Sequence, residues 1–228
     1  GVFGGGRKHD RACVVYSLPM AQHDPLPILF GGAARVKLLR FFLFNPEQVF
    51  SFDTIARRAR LVRRTARTEL GTLERAGVVQ RKYLYQSVAG STHKRRVLGY
   101  ALEPNFSLRV PLQSFLFATA PLNSKTMLAY MRKAGSFDIV VAAGIFKGEF
   151  ERRLDMLLAA KKISAHKVEQ QVHALEAELG IEIKYAFLKT DDCLYRISMR
   201  DKLVRDVFDY PYEILIDKAG VHDAVFRK

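Results

Sequence analysis

Arg63, Arg64, Arg67 and Thr68 open a stretch, Arg63 to Arg75, whose apolar residues Ala66, Leu70 and Leu73 recur at helical spacing. That spacing gives the buried stripe to Ala66, Leu70 and Leu73, so Arg63, Arg64, Arg67, Thr68 and Arg75 are expected to face outward. Outward guanidinium groups on a helix can donate in pairs to the guanine edge or to phosphate oxygens. A second cationic group, Lys94, Arg95 and Arg96, closes the stretch SVAGSTHKRR between two segments that alternate apolar and polar residues. Between Ser51 and Arg96 twelve cations meet three carboxylates, a net +9 of the chain's formal +14. Self-repulsion of that size calls for a polyanion. The candidate DNA-binding residues are therefore Arg63, Arg64, Arg67, Thr68, Arg75, Lys94, Arg95 and Arg96.

The elements that must position these groups can be read around them. Ile55, Ala56 and Ala59 mark a short helix, with Ser51 as its cap and Asp53 in its first turn. A break near Leu61-Val62 separates it from the arginine-rich helix, and Gly77 ends that helix before Val78-Val79 opens a strand. Ile28 to Asn45 reads as one helix stopped by Pro46. Strands over 78–86 and 97–102 form a hairpin with the cations and Gly90 at its tip. Helix, helix, turn, helix and hairpin in this order resemble a winged helix-turn-helix DNA-binding domain spanning 28–104. The resemblance implies that Arg63 to Arg75 is the recognition helix and the hairpin a wing that touches phosphates. Two residues depart from that pattern. Arg60 stands where a turn glycine is common, and Val62 where Ser or Thr would cap the helix.

The remaining chain is long and apolar enough, at 228 residues and 49% hydrophobic, to hold a second core. Residues 1–27, with three consecutive glycines and scattered prolines, read as a flexible arm, and no GK[ST] follows the glycines to make a phosphate loop. A connector over 105–123 leads to helices over 112–120 and 124–134, the second capped by Ser124 and closed by Gly135. Strands are expected over 137–143, 154–159, 181–188 and 212–216. Helices are expected over 164–179, with Ser164 as cap, and through most of 191–208. The fold class is α+β, with a small α/β unit over 124–218 and a tail over 219–228.

Gly144-Ile145, nine intervening residues, then Asp155-Met156-Leu157 keep the spacing of the Gly-Ser and Asp-x-Asp signature of the minimal nucleotidyltransferase fold, which residues 125–218 resemble. Ile145 replaces the phosphate-binding serine and Leu157 the second metal-binding carboxylate. The resemblance therefore implies a fold without its catalysis, since two-metal phosphoryl transfer needs several carboxylates at one site. Asp155 is expected as a solvated strand-end carboxylate or an ion-pair member with Arg152 or Arg153. As a whole, residues 28–218 resemble prokaryotic transcription regulators that join a winged helix to a degenerate nucleotidyltransferase-like domain.

Other chemistry is weakly signalled. His166, Glu169 and His173 share a helix face without a fourth metal ligand, and read as a solvated polar stripe. Lys147-Gly148-Glu149 offers one glycine to an anion, while Phe146 and Phe150 are expected to close the core. No Ser/His/Asp or Cys/His pairing has a local signature, and Cys13 and Cys193 fit a reducing compartment. No apolar run reaches the roughly 18 residues of a spanning helix, so no membrane partner is expected and the cytoplasm is the expected location. The expected function is sequence-specific binding of double-stranded DNA by a transcriptional regulator that is not an enzyme and needs no cofactor or metal. It is expected to be a homodimer, assembled through helices 112–120 and 124–134, and to answer to a small-molecule or protein effector. Two alternatives remain open: a divergent nucleotidyltransferase acting on nucleic acid or a partner protein, and an RNA-binding protein.

Overall fold

The computed structural model describes residues 24–87 and 94–226, and the chain is a mixed α+β protein. Expectations for residues 1–23 and for Gly90 lie outside the described residues. The arm nevertheless stops earlier than its expected end at residue 27, because Leu26 is buried in the first core as the start of helix α1 (Leu26–Leu29). The single helix expected over 28–45 is two. Gly31 and Gly32 take φ of 80° and 150°, which breaks the chain between α1 and α2 (Ala33–Phe44), and α2 ends before Asn45, whose side chain donates back to the Phe41 carbonyl at 2.7 Å.

Strand β1 (Phe50–Ser51) leads into α3 (Phe52–Arg58), and the Ser51 hydroxyl accepts the Thr54 N–H at 3.3 Å as its cap. After a short turn comes α4 (Arg63–Arg75). Its end is a Schellman motif: Val78 N–H reaches the Leu73 carbonyl at 2.9 Å and Gly77 N–H the Glu74 carbonyl at 3.0 Å, with Gly77 at φ 69°. Strands β2 (Val79–Ser87) and β3 (Lys94–Leu102) then pair antiparallel, and β3 also pairs with β1, giving the order β1-β3-β2. The core of this half joins Leu39, Phe42 and Leu43 of α2 to Ile55, Leu70, Leu73, Val79 and Leu102. Leu116 of α5 (Arg109–Ala118) closes it.

The second half is a four-stranded sheet, β4 (Ile139–Ala142), β5 (Met156–Ala159), β6 (Tyr185–Leu188) and β7 (Glu213–Asp217), in the order β6-β5-β4-β7. Only β5 and β6 run parallel, and α7 (Ala165–Leu179) makes the crossover between them. The strands are shorter than the apolar runs that announce them. The runs of β4 and β5 are continuous rather than alternating because both faces of these two strands are covered. On one face α6 (Ser124–Ala134) and α7 meet Val140, Ala142, Met156 and Leu158. On the other, α8 (Thr190–Ser198), α9 (Lys202–Phe208) and α10 (Val221–Phe226) meet Ile139, Val141, Leu157 and Ala159. Two expectations change here. The tail contains α10, anchored by Val221, and the cap of α6 is Asn123, whose side chain accepts the Thr126 N–H at 2.8 Å. The Ser124 hydroxyl instead donates to Glu213 at 2.6 Å, and Lys147 reaches the same carboxylate at 2.9 Å.

The two halves are locked through the end of α7. Gly180 follows it at φ 74°, and a Cβ there would lie 2.7 Å from the Arg40 carbonyl carbon and the Phe41 nitrogen. The glycine is required twice, for the left-handed turn and for close approach to α2. Buried Arg40 donates to the Glu178 carbonyl at 3.1 Å, Asn45 to the Gly180 carbonyl at 2.8 Å, and Lys37 pairs with Glu178 at 2.7 Å.

Candidate nucleic-acid interface

Helix α4 buries Ala66, Leu70 and Leu73, as its spacing requires, and its other faces are open. Arg63, Arg64, Arg67 and Thr68 together line one surface depression of about 320 Å3. Two of these arginines are aimed by Phe52 at the start of α3: the Arg63 and Arg67 guanidinium carbons sit 5.0 and 5.4 Å from its ring centroid. Arg63 also pairs with Asp53. Arg64 is exposed and meets no carboxylate among the described residues, and its carbonyl accepts the Thr68 hydroxyl at 3.1 Å. Val62 precedes the helix with extended backbone and no side-chain cap, so the first amides of α4 stay available to an acceptor from outside.

Arg75 does not join this cluster. It lies near the far end of α4, exposed, with its guanidinium 3.4 Å from the Thr72 hydroxyl. At about 100° per residue, Arg64, Thr68, Gly71 and Arg75 nonetheless share the pole of α4 opposite its buried stripe. Gly71 is the member that the cation pattern conceals. A Cβ there would meet nothing outside the helix within 4 Å, so no packing accounts for a mid-helix glycine that costs about 1 kcal/mol relative to alanine. Its position among outward polar residues was the available signal.

Lys94, Arg95 and Arg96 belong to strand β3 rather than to the tip between the strands. Paired register puts Arg96 opposite Tyr85 and Arg95 opposite Gln86, on opposite faces of the hairpin. Arg96 stacks on Tyr83 with its guanidinium carbon 3.7 Å from the ring centroid. At the base, Arg81 pairs with Glu74 of α4 at 2.8 Å, which fixes the hairpin to the helix.

The turn between α3 and α4 is a second Schellman motif, with Leu61 N–H on the Ala56 carbonyl at 2.9 Å and Arg60 N–H on the Arg57 carbonyl at 3.1 Å. Arg60 holds the left-handed position at φ 51°, where glycine would carry no strain. Its side chain reaches the Gln170 carbonyl of α7 at 3.0 Å. Beside it Arg58 pairs with Glu182 at 3.7 Å and stacks on Phe41. Between α3 and α7 lies a cavity of about 390 Å3 lined by Arg57, Arg58, His173, Glu176 and Glu182. Burial raises the Glu176 carboxyl above the ordinary glutamate value, although it accepts the Ile183 N–H at 2.8 Å.

The nucleotidyltransferase-like signature residues are placed differently from expectation. Asp155 is 1% exposed and is neither solvated nor ion-paired with Arg152 or Arg153. Its two oxygens accept the Ile145 N–H at 3.0 Å and the Lys184 N–H at 2.9 Å, while Arg152 pairs with Glu149. Burial pushes the Asp155 carboxyl up, and the two amides oppose that shift. Gly144 sits at φ 48° against this carboxylate, so that any Cβ would collide with it. The Gly144–Asp155 spacing thus brings the two residues into contact as one packed unit. Ile145 and Leu157 are both core residues. Lys147 is engaged by Glu213, and Phe150, expected in the core, is 44% exposed with its ring 5.0 Å from Phe117. Phe146 is buried as expected. His166 lies beside Gln170 at 3.0 Å and Glu169 at 3.9 Å, and no group of three or more His, Cys, Asp or Glu among the described residues is arranged to hold a metal. No described helix is long and apolar enough to cross a membrane. Comparisons with family models, with curated proteins and with solved structures find no match to this chain.

Proposed function

We propose that the chain is a sequence-specific, double-stranded-DNA-binding transcriptional regulator, a winged helix-turn-helix joined to a nucleotidyltransferase-like half that has lost its chemistry. The observation that carries this reading is the clustering of Arg63, Arg64, Arg67 and Thr68 in one open depression on α4, two of them oriented by Phe52. In this reading α4 enters the major groove with arginines on guanine edges, and Arg75, Lys94, Arg95 and Arg96 hold flanking phosphates. Gly71 on the same pole removes the side chain that would hold the helix backbone away from the groove.

The second half supports regulation better than transfer. Its one surviving signature carboxylate is committed to two backbone amides, and the positions of its two missing partners are filled by buried Ile145 and Leu157. The cavity between α3 and α7 is the place for a small effector bearing both charges, because its walls carry Arg57 and Arg58 as well as Glu176 and Glu182. Homodimerisation belongs to the same proposal, with a changed surface. Helix α6 turns Met127, Met131 and Ala134 inward, which leaves Val110 and Phe117, on one side of α5, as the apolar face for a second copy.

Selection of bound duplexes from a random pool tests the function. A preferred site, repeated with two-fold symmetry if two copies bind, is the expected result. Recovery of no preferred duplex, together with tight binding of structured RNA, replaces the DNA reading by the RNA one.

A further inference from the structure

Beyond the charges that face phosphates, the β2–β3 hairpin carries an exposed aromatic strip. Antiparallel register sets Val79 opposite Leu102, Arg81 opposite Tyr100, Tyr83 opposite Leu98 and Tyr85 opposite Arg96, so these eight residues share one face. At the base this face is the core side, since Val79 and Leu102 are buried and Tyr100 packs against the same cluster. Farther out it runs past the helices and is bare. Tyr83 is 61% exposed, Tyr85 68% and Leu98 41%. The Arg81–Glu74 ion pair shows that this is the side on which α4 lies.

Three exposed apolar groups clustered across two strands are costly on a surface unless something covers them, and charge selects what that is. The two strands carry Arg81, Lys82, Lys94, Arg95 and Arg96 and no carboxylate, so an acidic polymer is favoured and a second copy of this basic hairpin is opposed. Tyr83 and Tyr85 stand two residues apart on one strand, roughly 7 Å from each other, about twice the 3.4 Å that separates stacked bases. One base can therefore lie on each ring or one can enter between them. Arg96 holds its guanidinium over the Tyr83 ring, 3.7 Å from the centroid, and adds a second group on which a base can stack. A duplex offers no base faces to such a strip, because its bases are already stacked on each other.

We propose that this face of the hairpin binds unpaired DNA bases by stacking, so that the protein holds a junction, with duplex on α4 and an opened strand on Tyr83, Tyr85 and Arg96. The inference rests on the DNA-binding reading above, and adds the local state of the DNA that is recognised.

The full chain is titrated with three labelled probes: a blunt duplex, the same duplex with an unpaired thymidine tract at its centre, and the thymidine strand alone. Wild type is expected to bind the opened duplex about tenfold or more tighter than the blunt one, as one or two stacked bases would give. The double variant Tyr83→Ala, Tyr85→Ala is expected to lose that preference while keeping its affinity for the blunt duplex, and Tyr83→Phe, Tyr85→Phe to keep both. The chain contains no tryptophan, so Tyr85→Trp supplies a single reporter whose emission is quenched when a base stacks on it. Equal wild-type affinity for blunt and opened duplex overturns the proposal and leaves the DNA-binding reading intact. Equal loss on both probes in the alanine variant overturns it too, because the rings would then serve duplex contact or the hairpin's own shape. Absence of binding to the blunt duplex, with preference for the opened one, instead removes the duplex reading and keeps the stacking face. Dimerisation that disappears in the alanine variant assigns the strip to a second copy and overturns the proposal.

Discussion

Replacing Asp155 by alanine removes a carboxylate that is 1% exposed and that ties the turn after β4 to the approach of β6 through Ile145 and Lys184. Each amide left unsatisfied in the interior costs about 1–3 kcal/mol, and the lost carboxylate also leaves a void against Gly144. Part of this is offset, since burial disfavours the charged carboxylate in the wild type and the variant no longer carries that cost. A net loss of about 3 kcal/mol follows from the two amides less that relief. In a chain of this length it lowers Tm by about 6–12 °C. Asp155→Asn is expected to fall between, because its amide group presents a donor where one of the two N–H groups needs an acceptor.

The pH dependence gives an independent sign. A carboxyl whose pKa is raised on folding binds its proton more readily in the native state, so its contribution to stability improves as pH falls through the folded pKa and is worst at neutral pH. The stability gap between wild type and Asp155→Asn should therefore widen toward acid. Thermal denaturation across pH, followed by circular dichroism, reads both effects, and incubation with labelled triphosphates reads activity in the same samples. An Asp155→Asn variant that melts with the wild type but abolishes a labelled product would refute the structural role and make Asp155 a catalytic carboxylate.

Three further outcomes are expected. Arg64→Ala and Arg67→Ala should each change base preference as well as affinity, by about 1–3 kcal/mol at the contacted base pair, whereas Lys94→Ala and Arg95→Ala should lower affinity uniformly and make the plot of log affinity against log salt shallower by about one unit; competition binding over a set of duplexes separates the two patterns, and uniform loss for Arg67 would make it a phosphate contact. Gly71→Ala should raise Tm, since alanine favours a helix interior by about 1 kcal/mol, while weakening duplex binding; unchanged binding would mean that α4 does not bring its backbone close to DNA at that pole. Gly180→Ala should cost at least about 2 kcal/mol, from a left-handed alanine and a Cβ pressed on the Arg40–Phe41 backbone, and the loss should show as parting of the two halves in hydrogen exchange at α2 and α7.

What the sequence reveals and what it hides follow from the range of the forces involved. Helix ends set by local backbone chemistry are legible: Gly77 and Gly180 stand at positive φ where each helix needs it, and Ser51 caps α3. The turn before α4 has the same geometry with Arg60 in the glycine position, because a contact more than a hundred residues away, to the Gln170 carbonyl, holds the side chain. That contact has no local trace. The strands of the second half announce themselves as apolar runs, but their ends do not, since hydrogen bonding to neighbours rather than composition decides where pairing stops. The arginine cluster on α4 follows from period alone, whereas the face of each hairpin residue depends on register, which fixed Lys94, Arg95 and Arg96 in a strand and put Tyr83 and Tyr85 beside Arg96. The burial of Asp155 is hidden for a related reason. A lone acid beside Arg152 and Arg153 reads as exposed until the Ile145 and Lys184 amides are seen to converge on it.

The route by which the second half could act on α4 is short. Arg60 in the turn before α4 holds the Gln170 carbonyl, and Arg58 at the end of α3 holds Glu182 beyond the end of α7. The second contact lies in the wall of the cavity, whose lining includes Arg58 and Glu182, so a charged ligand there competes for one of the pairs that fix α3 beside α7. The rest of the joint, Arg40 on Glu178 and Asn45 on Gly180, involves α2 and none of the cavity's charged groups. A ligand that takes Arg58 from Glu182 would therefore loosen the end of α3, the element next to the turn that leads into the arginine helix. If the chain binds DNA and an effector as proposed, linkage makes the effect reciprocal: DNA that fixes α3 and α4 in one orientation must change the affinity of the cavity for its ligand by the same factor.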